Sequence, residues 1–361
     1  MNEKIKLYIK GITQETADTI TLHFSQPEEK LIYASGQYLT LISEIDGKEV
    51  RRAYSLCSSC HTDQDLSVSV KRVSGGKMSN HLHDNIKAGD WMFVLPPLGN
   101  FIFKPDNISK HIVLIGGGSG ITPLFSILKS ALVEEQGSTV SLLYVNSKRE
   151  NTIYYEELEQ WRYKFSSRFR IIHYWSDVMK EKQHQRSFLS KFFKKAIPNA
   201  HRLNPASLKT IFEDLQISKE NNTVFYVCGP LQLMEMAVNK IQKLGFAKDV
   251  IAKECFYTAT EAKNTSTPTT QERQIKILLK DKEYPVKVKA GTSILFAGLQ
   301  AGIDLSYSCQ SGNCTSCAGR CISGEVEMST TAGLTHKQLN DRYVLTCVGY
   351  PKTDDVVIEF E

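Results

Sequence analysis

Short runs that alternate apolar and polar residues dominate the first part of the chain: KIKLYIKGI, TITLHFSQ, QYLTLISEI and DLSVSVKRV, parted by Gly, Asp and Pro. A period of two puts one face of each run on a core and the other in water, so residues 1–105 are expected to form an antiparallel β-barrel or sandwich. From residue 108 the pattern changes. Nearly continuous apolar runs (HIVLIGG, TVSLLYVN, FRIIHYW, TVFYVCGP) alternate with helical segments such as PLFSILKSALVEEQG and LQLMEMAVNKIQKLG. Strands buried on both faces between helices predict a parallel α/β sheet over residues 106–257. The stretch TATEAKNTSTPTTQER, rich in Thr and Ser and poor in apolar residues, then marks a flexible linker at 258–273, so residues 274–361 are expected to be a separate module.

Composition narrows the classes. The N-terminal stretch lacks an apolar run with a cleavage site, and the most apolar segment, HIVLIGGGSGITPLFSILKSALV, is interrupted by glycines, a proline and Lys129. Neither a signal peptide nor a membrane span is expected, and the cytoplasm is the expected compartment. A formal charge of +5 with no basic helix or aromatic platform gives no reason to expect nucleic acid. Nine cysteines in a reducing compartment direct attention to metals, clusters and reactive thiols.

Four of those cysteines carry the strongest signal. Four residues separate Cys309 from Cys314, two separate Cys314 from Cys317, and 29 separate Cys317 from Cys347. This is the plant-type spacing for a 2Fe-2S cluster. Small residues between the first three let backbone N–H groups approach the sulfurs, while the fourth thiolate arrives from a distant strand. A structural zinc usually takes two close pairs of ligands instead. Cys321 reads as a packed residue rather than a ligand.

Around residue 118 the string IGGGSGITPLFSIL sets glycines between an apolar strand and a helix, where backbone can approach a diphosphate. Thr122 is the expected N-cap and Pro123 the expected first helical residue. The full dinucleotide fingerprint is missing, because no glycine stands three places after Gly118. A fourth apolar strand ends in Cys228, Gly229 and Pro230, at the carboxyl edge where open α/β sheets bind ligands. Ser147, Lys148 and Arg149 follow the second strand, where an acidic residue would accept a ribose hydroxyl. Basic groups there suit a 2′-phosphate, which favours NADPH over NADH.

In the β-rich part, RAYSL is followed by GGKMSNHL and PPLGNF. Arg52 can pair with a phosphate and Tyr54 can cover an aromatic ring. Gly75, Gly76 and Ser79 open a helix, with Ser79 as its expected cap and a second anion site there. Each of these taken separately reads more simply as an ordinary turn of a β-domain.

In this order the motifs resemble the ferredoxin-NADP reductase superfamily over residues 1 to about 257, and the cysteine module resembles a plant-type ferredoxin with a β-grasp fold. The resemblance implies that Arg52, Tyr54 and Ser55 hold a flavin and that the turn at Gly76 and Ser79 holds its pyrophosphate, which makes the flavin FAD rather than FMN. It implies that Gly118, Gly120, Pro123 and Cys228–Gly229–Pro230 bind the nicotinamide nucleotide. Glu254 and Phe256 match a Glu-x-Phe close to the flavin. Tyr54, Ser55, Cys228, Glu254 and Phe256 are thereby the expected catalytic residues. A ferredoxin fused behind such a reductase is similar to the reductase components of multicomponent oxygenases. The segment HRLNPASLKTIF further resembles the reductase subunit of phenylacetyl-CoA epoxidase and places Arg202 near the adenosine, although His201 stands where that resemblance expects glycine.

The expected activity is therefore NAD(P)H-dependent electron transfer through FAD and a 2Fe-2S cluster to a separate oxygenase or hydroxylase. Two rivals are a self-contained reductase of small acceptors and a redox sensor whose cluster state controls a protein contact.

Overall fold

The computed structural model describes residues 4–106, 108–177, 203–256, 271–310, 312, 314–331 and 333–360. The expected linker at 258–273 therefore lies outside the described residues except for its last three positions.

The first region is a six-stranded antiparallel barrel. Its strands are β1 (Ile5–Thr16), β2 (Thr19–Phe24), β3 (Tyr38–Ile45), β4 (Lys48–Ser55), β5 (Leu66–Lys71) and β6 (Trp91–Leu98), ordered β4-β3-β6-β1-β2-β5. An isolated bridge from Leu56 to Val68 brings the two edges together. Register shifts bend β1 so that its first half pairs with β6 and its second with β2. Alternation works as the sequence implies: Leu7, Ile9, Leu22, Leu39, Leu41, Val68 and Val94 fill the interior. Helix α1 (Lys77–Asn85) buries Met78 and Leu82 on the same core.

The second region is a parallel sheet of β7 (His111–Gly117), β8 (Thr139–Asn146), β9 (Phe169–Trp175), β10 (Val224–Cys228) and β11 (Ile251–Glu254), ordered β11-β10-β7-β8-β9. All seven residues of β7 are buried, because α2 (Ile121–Glu134) and α3 (Tyr155–Lys164) cover one face while α4 (Pro205–Asp214) and α5 (Leu231–Lys243) cover the other. The chain reverses direction across the sheet between β7 and β10. That switch point is where an open α/β sheet leaves a crevice for a ligand.

The third region is a mixed sheet of β12 (Arg273–Leu279), β13 (Lys282–Val288), β14 (Ala318–Ser323), β16 (Tyr343–Leu345) and β18 (Val357–Phe360), ordered β13-β12-β18-β14-β16. A small hairpin-like pair, β15 (Val326–Met328) with β17 (Gly349–Pro351), stands beside it. Helices α6 (Ile294–Gln300) and α7 (His336–Asn340) complete the module. Ile294, Leu295 and Ala297 of α6 lie in one core with Ile277, Val286 and Ile358 from the sheet, the grasp of a sheet around one helix. Lys280 and Asp281, both at positive φ, make the tight β12–β13 turn.

Candidate active site

The glycine loop and the Cys-Gly-Pro turn interlock at the switch point. After β7, Gly118–Gly120 form a 3₁₀ turn that runs into α2. Gly118 has φ +54° and open space where a side chain would project. Gly120 is the opposite case: a Cβ there would stand 2.3 Å from the Cys228 carbonyl oxygen. Only glycine permits that approach, so the loop is pressed against the end of β10. The Tyr144 hydroxyl donates to the Gly118 carbonyl at 3.0 Å and steadies the turn from β8.

Two expectations about this helix start are corrected. Gly120, not Thr122, is the N-cap, and Pro123 is the third helical residue rather than the first. The 3₁₀ turn delivers the chain into helical geometry earlier than the sequence suggests. Thr122, already inside the first turn, donates its hydroxyl to the Ser119 carbonyl at 3.0 Å. Pro123 is tolerated because the first helical N–H groups lack intrahelical partners in any case. Pro230 occupies the cap position of α5, and Gly229 at φ +150° turns the chain into it.

Cys228 and Glu254 are neighbours in the parallel register of β10 and β11. Cys228 is fully buried and Glu254 is 8% exposed. Burial pushes the Glu254 carboxyl up to about 8, against the lowering effect of Ser55. Burial, and then the nearby Glu254, also holds the Cys228 thiol protonated. From the barrel, the buried Ser55 donates its hydroxyl to Glu254 Oε2 at 3.4 Å. The structure thus brings Ser55, Cys228 and Glu254 together from two regions, with Phe256 partly exposed two residues beyond Glu254.

On β4 the strand alternation separates Arg52 and Tyr54 from Ser55. Tyr54 packs on the barrel core, and burial raises its phenol above the usual tyrosine range. Arg52 is exposed, with its guanidinium donating to the Arg51 carbonyl at 2.7 Å and to Gln310 Oε1 at 3.5 Å. The expected cap at Ser79 is also corrected. Gly76 is the N-cap of α1, and Ser79 sits inside its first turn, accepting from the Val73 N–H at 3.1 Å and donating to the Gly76 carbonyl at 3.4 Å. A Cβ on Gly76 would meet the Ser79 hydroxyl at 2.6 Å, so the two residues lock one tight turn.

The four cysteines stand as two pairs. Cys314 accepts a hydrogen bond from Cys309, and Cys317 accepts one from Cys347, which holds both acceptor thiols below the ordinary value. The N–H of Ser316 reaches Cys314 and that of Gly312 reaches Cys347, as the small residues of the loop imply. Among the described residues no three His, Cys, Asp or Glu side chains converge as they would on a single metal ion. Two thiol pairs with backbone donors on their sulfurs fit a two-iron cluster better than one zinc. Cys321 is buried and donates to the Ser323 carbonyl at 3.2 Å, a packed residue.

At the end of β8, Ser147 accepts from the Asn151 amide at 2.8 Å. Arg149 is 57% exposed, lies 4.3 Å above the Tyr155 ring and pairs with Glu156 at 3.6 Å. Arg202 lies outside the described residues.

The seam between barrel and cysteine loop has no counterpart in the sequence pattern. The side chains of Thr40 on β3 and Ser308 share a buried hydrogen bond. Arg51 stacks 4.9 Å from the Tyr307 ring centroid. Tyr38, 3% exposed, lies two residues before Thr40 on the same face. No local motif announces such contacts; only the tertiary pairing creates them.

Residues 6–103 match the oxidoreductase FAD-binding domain, 114–239 the oxidoreductase NAD-binding domain and 277–352 the 2Fe-2S iron-sulfur cluster binding domain. The ferredoxin reductase component of 3-ketosteroid-9-alpha-monooxygenase from Rhodococcus rhodochrous is 31% identical over 99% of this chain and 97% of its own length. The chain belongs to the ferredoxin-NADP reductase family, in the group with a C-terminal 2Fe-2S domain. A component of the 1,2-phenylacetyl-CoA epoxidase of Escherichia coli (strain K12) is 28% identical over 98% of this chain and 97% of that protein. The solved structure of phthalate dioxygenase reductase has the same three-part fold, with a TM-score of 0.62 at 23% identity over 99% of this chain and 98% of that one. This family member is the reductase component of an oxygenase system, an oxidoreductase with FAD and a 2Fe-2S cluster as its cofactors. It takes electrons from a pyridine nucleotide and serves an oxygenase partner. No helix among the described residues is long and apolar enough to cross a membrane.

Proposed function

We propose that this reductase uses NADPH in preference to NADH and delivers single electrons, by way of Cys309, Cys314, Cys317 and Cys347, to a separate oxygenase in the cytoplasm. The observation that carries this reading is the position of β3 and β4. Ser55 on β4 meets Glu254 and Cys228 of the nucleotide sheet, while Thr40 on the adjoining β3 meets Ser308 of the cysteine loop. One pair of strands therefore joins the nucleotide side of the site to the electron outlet.

When bound, the flavin takes electrons in pairs and releases them singly, and the cluster carries them one at a time. The chain's own residues do the rest. Gly118 and Gly120, with Gly229, give the nucleotide diphosphate close access to backbone at the start of α2. Thr122 and Pro123 hold that turn, and Cys228 with Pro230 shapes the nicotinamide side. Arg52, Tyr54 and the Gly76–Ser79 turn grip the FAD. Glu254 keeps a proton at neutral pH and exchanges it through the Ser55 hydroxyl, while Phe256 shields the site from water. Ser147 and Arg149, with Arg202, receive the 2′-phosphate end of NADPH. The working domains in this reading are 1–105, 106–257 and 274–361, with 258–273 as linker.

The oxygenases named for the relatives, a 1,2-phenylacetyl-CoA epoxidase and a 3-ketosteroid-9-alpha-monooxygenase among them, are the acceptors to try first. The test is steady-state turnover with NADPH or NADH against ferricyanide, cytochrome c and small quinones. Brisk cytochrome c reduction with NADPH preferred supports the relay. A low KM for a small acceptor favours the self-contained reductase, and slow nucleotide oxidation with every acceptor favours the sensor.

A further inference from the structure

Tyr38 is the first residue of β3 and is paired directly with Ser55 of β4. Its neighbour on the other side, β6, carries one extra residue at Pro96–Pro97, so that Tyr38 faces Leu98 while Thr40 faces Leu95. A bulge of this kind redirects a side chain. Gly99 at φ +123° lies flat against the Tyr38 ring, where an added Cβ would stand 3.1 Å from the ring carbon Cδ1. The ring is thereby fixed, and among the described residues its buried hydroxyl makes no hydrogen bond of good geometry. The polar groups around that hydroxyl are Cys314, Cys309 and Ser308, with Cys314 the strongest influence. Ser308 is already shared with Thr40.

A buried phenol without a partner is costly, because it loses water and gains nothing in return. A thiolate at Cys314 would satisfy it. We propose that Tyr38, a residue of the flavin barrel, donates a hydrogen bond to the Cys314 thiolate of the loaded cluster and so raises the cluster's midpoint potential while the two domains are docked. The direction follows from charge: a donor to a cluster sulfur favours the reduced, more negative state. Tyr38 is a positioning residue in this scheme. It makes the cluster a better acceptor where electrons arrive from the flavin side, and it ties that advantage to the docked pose held by Thr40, Ser308, Arg51 and Tyr307.

This inference rests on the reading of Cys309, Cys314, Cys317 and Cys347 as cluster ligands. Its test is an EPR-monitored redox titration of full-length wild-type and Tyr38→Phe proteins, with the flavin couple followed optically in the same samples. Phenylalanine keeps the ring and removes only the hydroxyl. EPR reads only chains that hold a cluster, so reduced loading in the variant leaves the potential measurable. The expected result is a lower cluster potential in Tyr38→Phe, by about tenfold in the electron-transfer equilibrium, or about 59 mV for one electron, with the flavin potential unchanged. A loaded variant whose cluster potential stays at the wild-type value overturns the inference. Equal shifts of both couples also overturn it, since Tyr38 would then act through general packing. A wild-type protein with no 2Fe-2S signal would overturn the ligand reading itself, and the inference with it.

Discussion

The hydroxyl of Ser55 lies 3.4 Å from the buried carboxyl of Glu254, across the seam between the flavin barrel and the nucleotide sheet. Cys228 stands beside Glu254 in the same sheet, so three residues distant in sequence meet at one point of the seam. Such a constellation can hold a proton and present it to a ligand bound at the seam.

Glu254 gives the first prediction. Its carboxyl is raised from 4.5 to about 8, so the native protein keeps a proton that the unfolded chain has lost across that interval. The unfolded state then binds fewer protons, and stability falls as pH rises from about 4.5 to about 8. Glu254→Gln should remove this decline, gaining about 1–3 kcal/mol over wild type above pH 8 and little at pH 5. Thermal unfolding at a series of pH values checks it. In turnover, the same variant should lose about 10²-fold in kcat if the proton is used.

Gly120→Ala should be damaging out of proportion to one methyl group. The new Cβ would meet the Cys228 carbonyl at 2.3 Å, and a backbone neighbour cannot rotate away. Denaturant unfolding should show a loss of about 1–3 kcal/mol. Nucleotide KM should rise in parallel, because the same loop shapes the diphosphate site.

Arg149→Ala tests the cofactor preference. Arg149 now spends its charge on Glu156 at 3.6 Å and rests on Tyr155, both exposed contacts of small worth. Releasing it to a 2′-phosphate is inexpensive. The ratio of kcat/KM for NADPH to that for NADH should therefore fall about tenfold in the variant, while activity with NADH stays near wild type.

Cys309→Ser separates the two halves of the relay. Removing one member of the Cys309–Cys314 pair should abolish the cluster and leave the flavin in place. Ferricyanide reduction should persist while cytochrome c reduction drops by more than about tenfold. Equal loss of both would mean that the cysteine loop is needed for the flavin region to fold.

The parts of this protein visible in its sequence are those set by local spacing. The cysteine loop declares itself because its first three sulfurs fall within nine residues, Cys309 to Cys317. The parallel sheet declares itself because β7 is apolar throughout, and the barrel because Leu7 and Ile9 alternate with exposed Tyr8. The helix starts near Ser79 and Thr122 depart from what the sequence suggests for one shared reason. In both, glycines before the polar residue carry the chain into the helix early, and the hydroxyl then closes the turn from within. The seam is illegible for another reason: Thr40 and Ser308 are 268 residues apart, and nothing in either local sequence points to the other. Tyr38 reads in sequence as one more barrel residue. Only the bulge in β6 and the docked cysteine loop show what its hydroxyl faces.

One chain holds a two-electron carrier and a one-electron carrier in series. Anaerobic titration of the purified protein with NADPH, and separately with dithionite, counts the electrons it accepts while visible and EPR spectra identify where they go. Three electrons per chain are expected, two on the flavin and one on a 2Fe-2S cluster, with NADPH reaching the cluster only through the flavin. Uptake of two electrons by a protein whose cysteines carry zinc would contradict it.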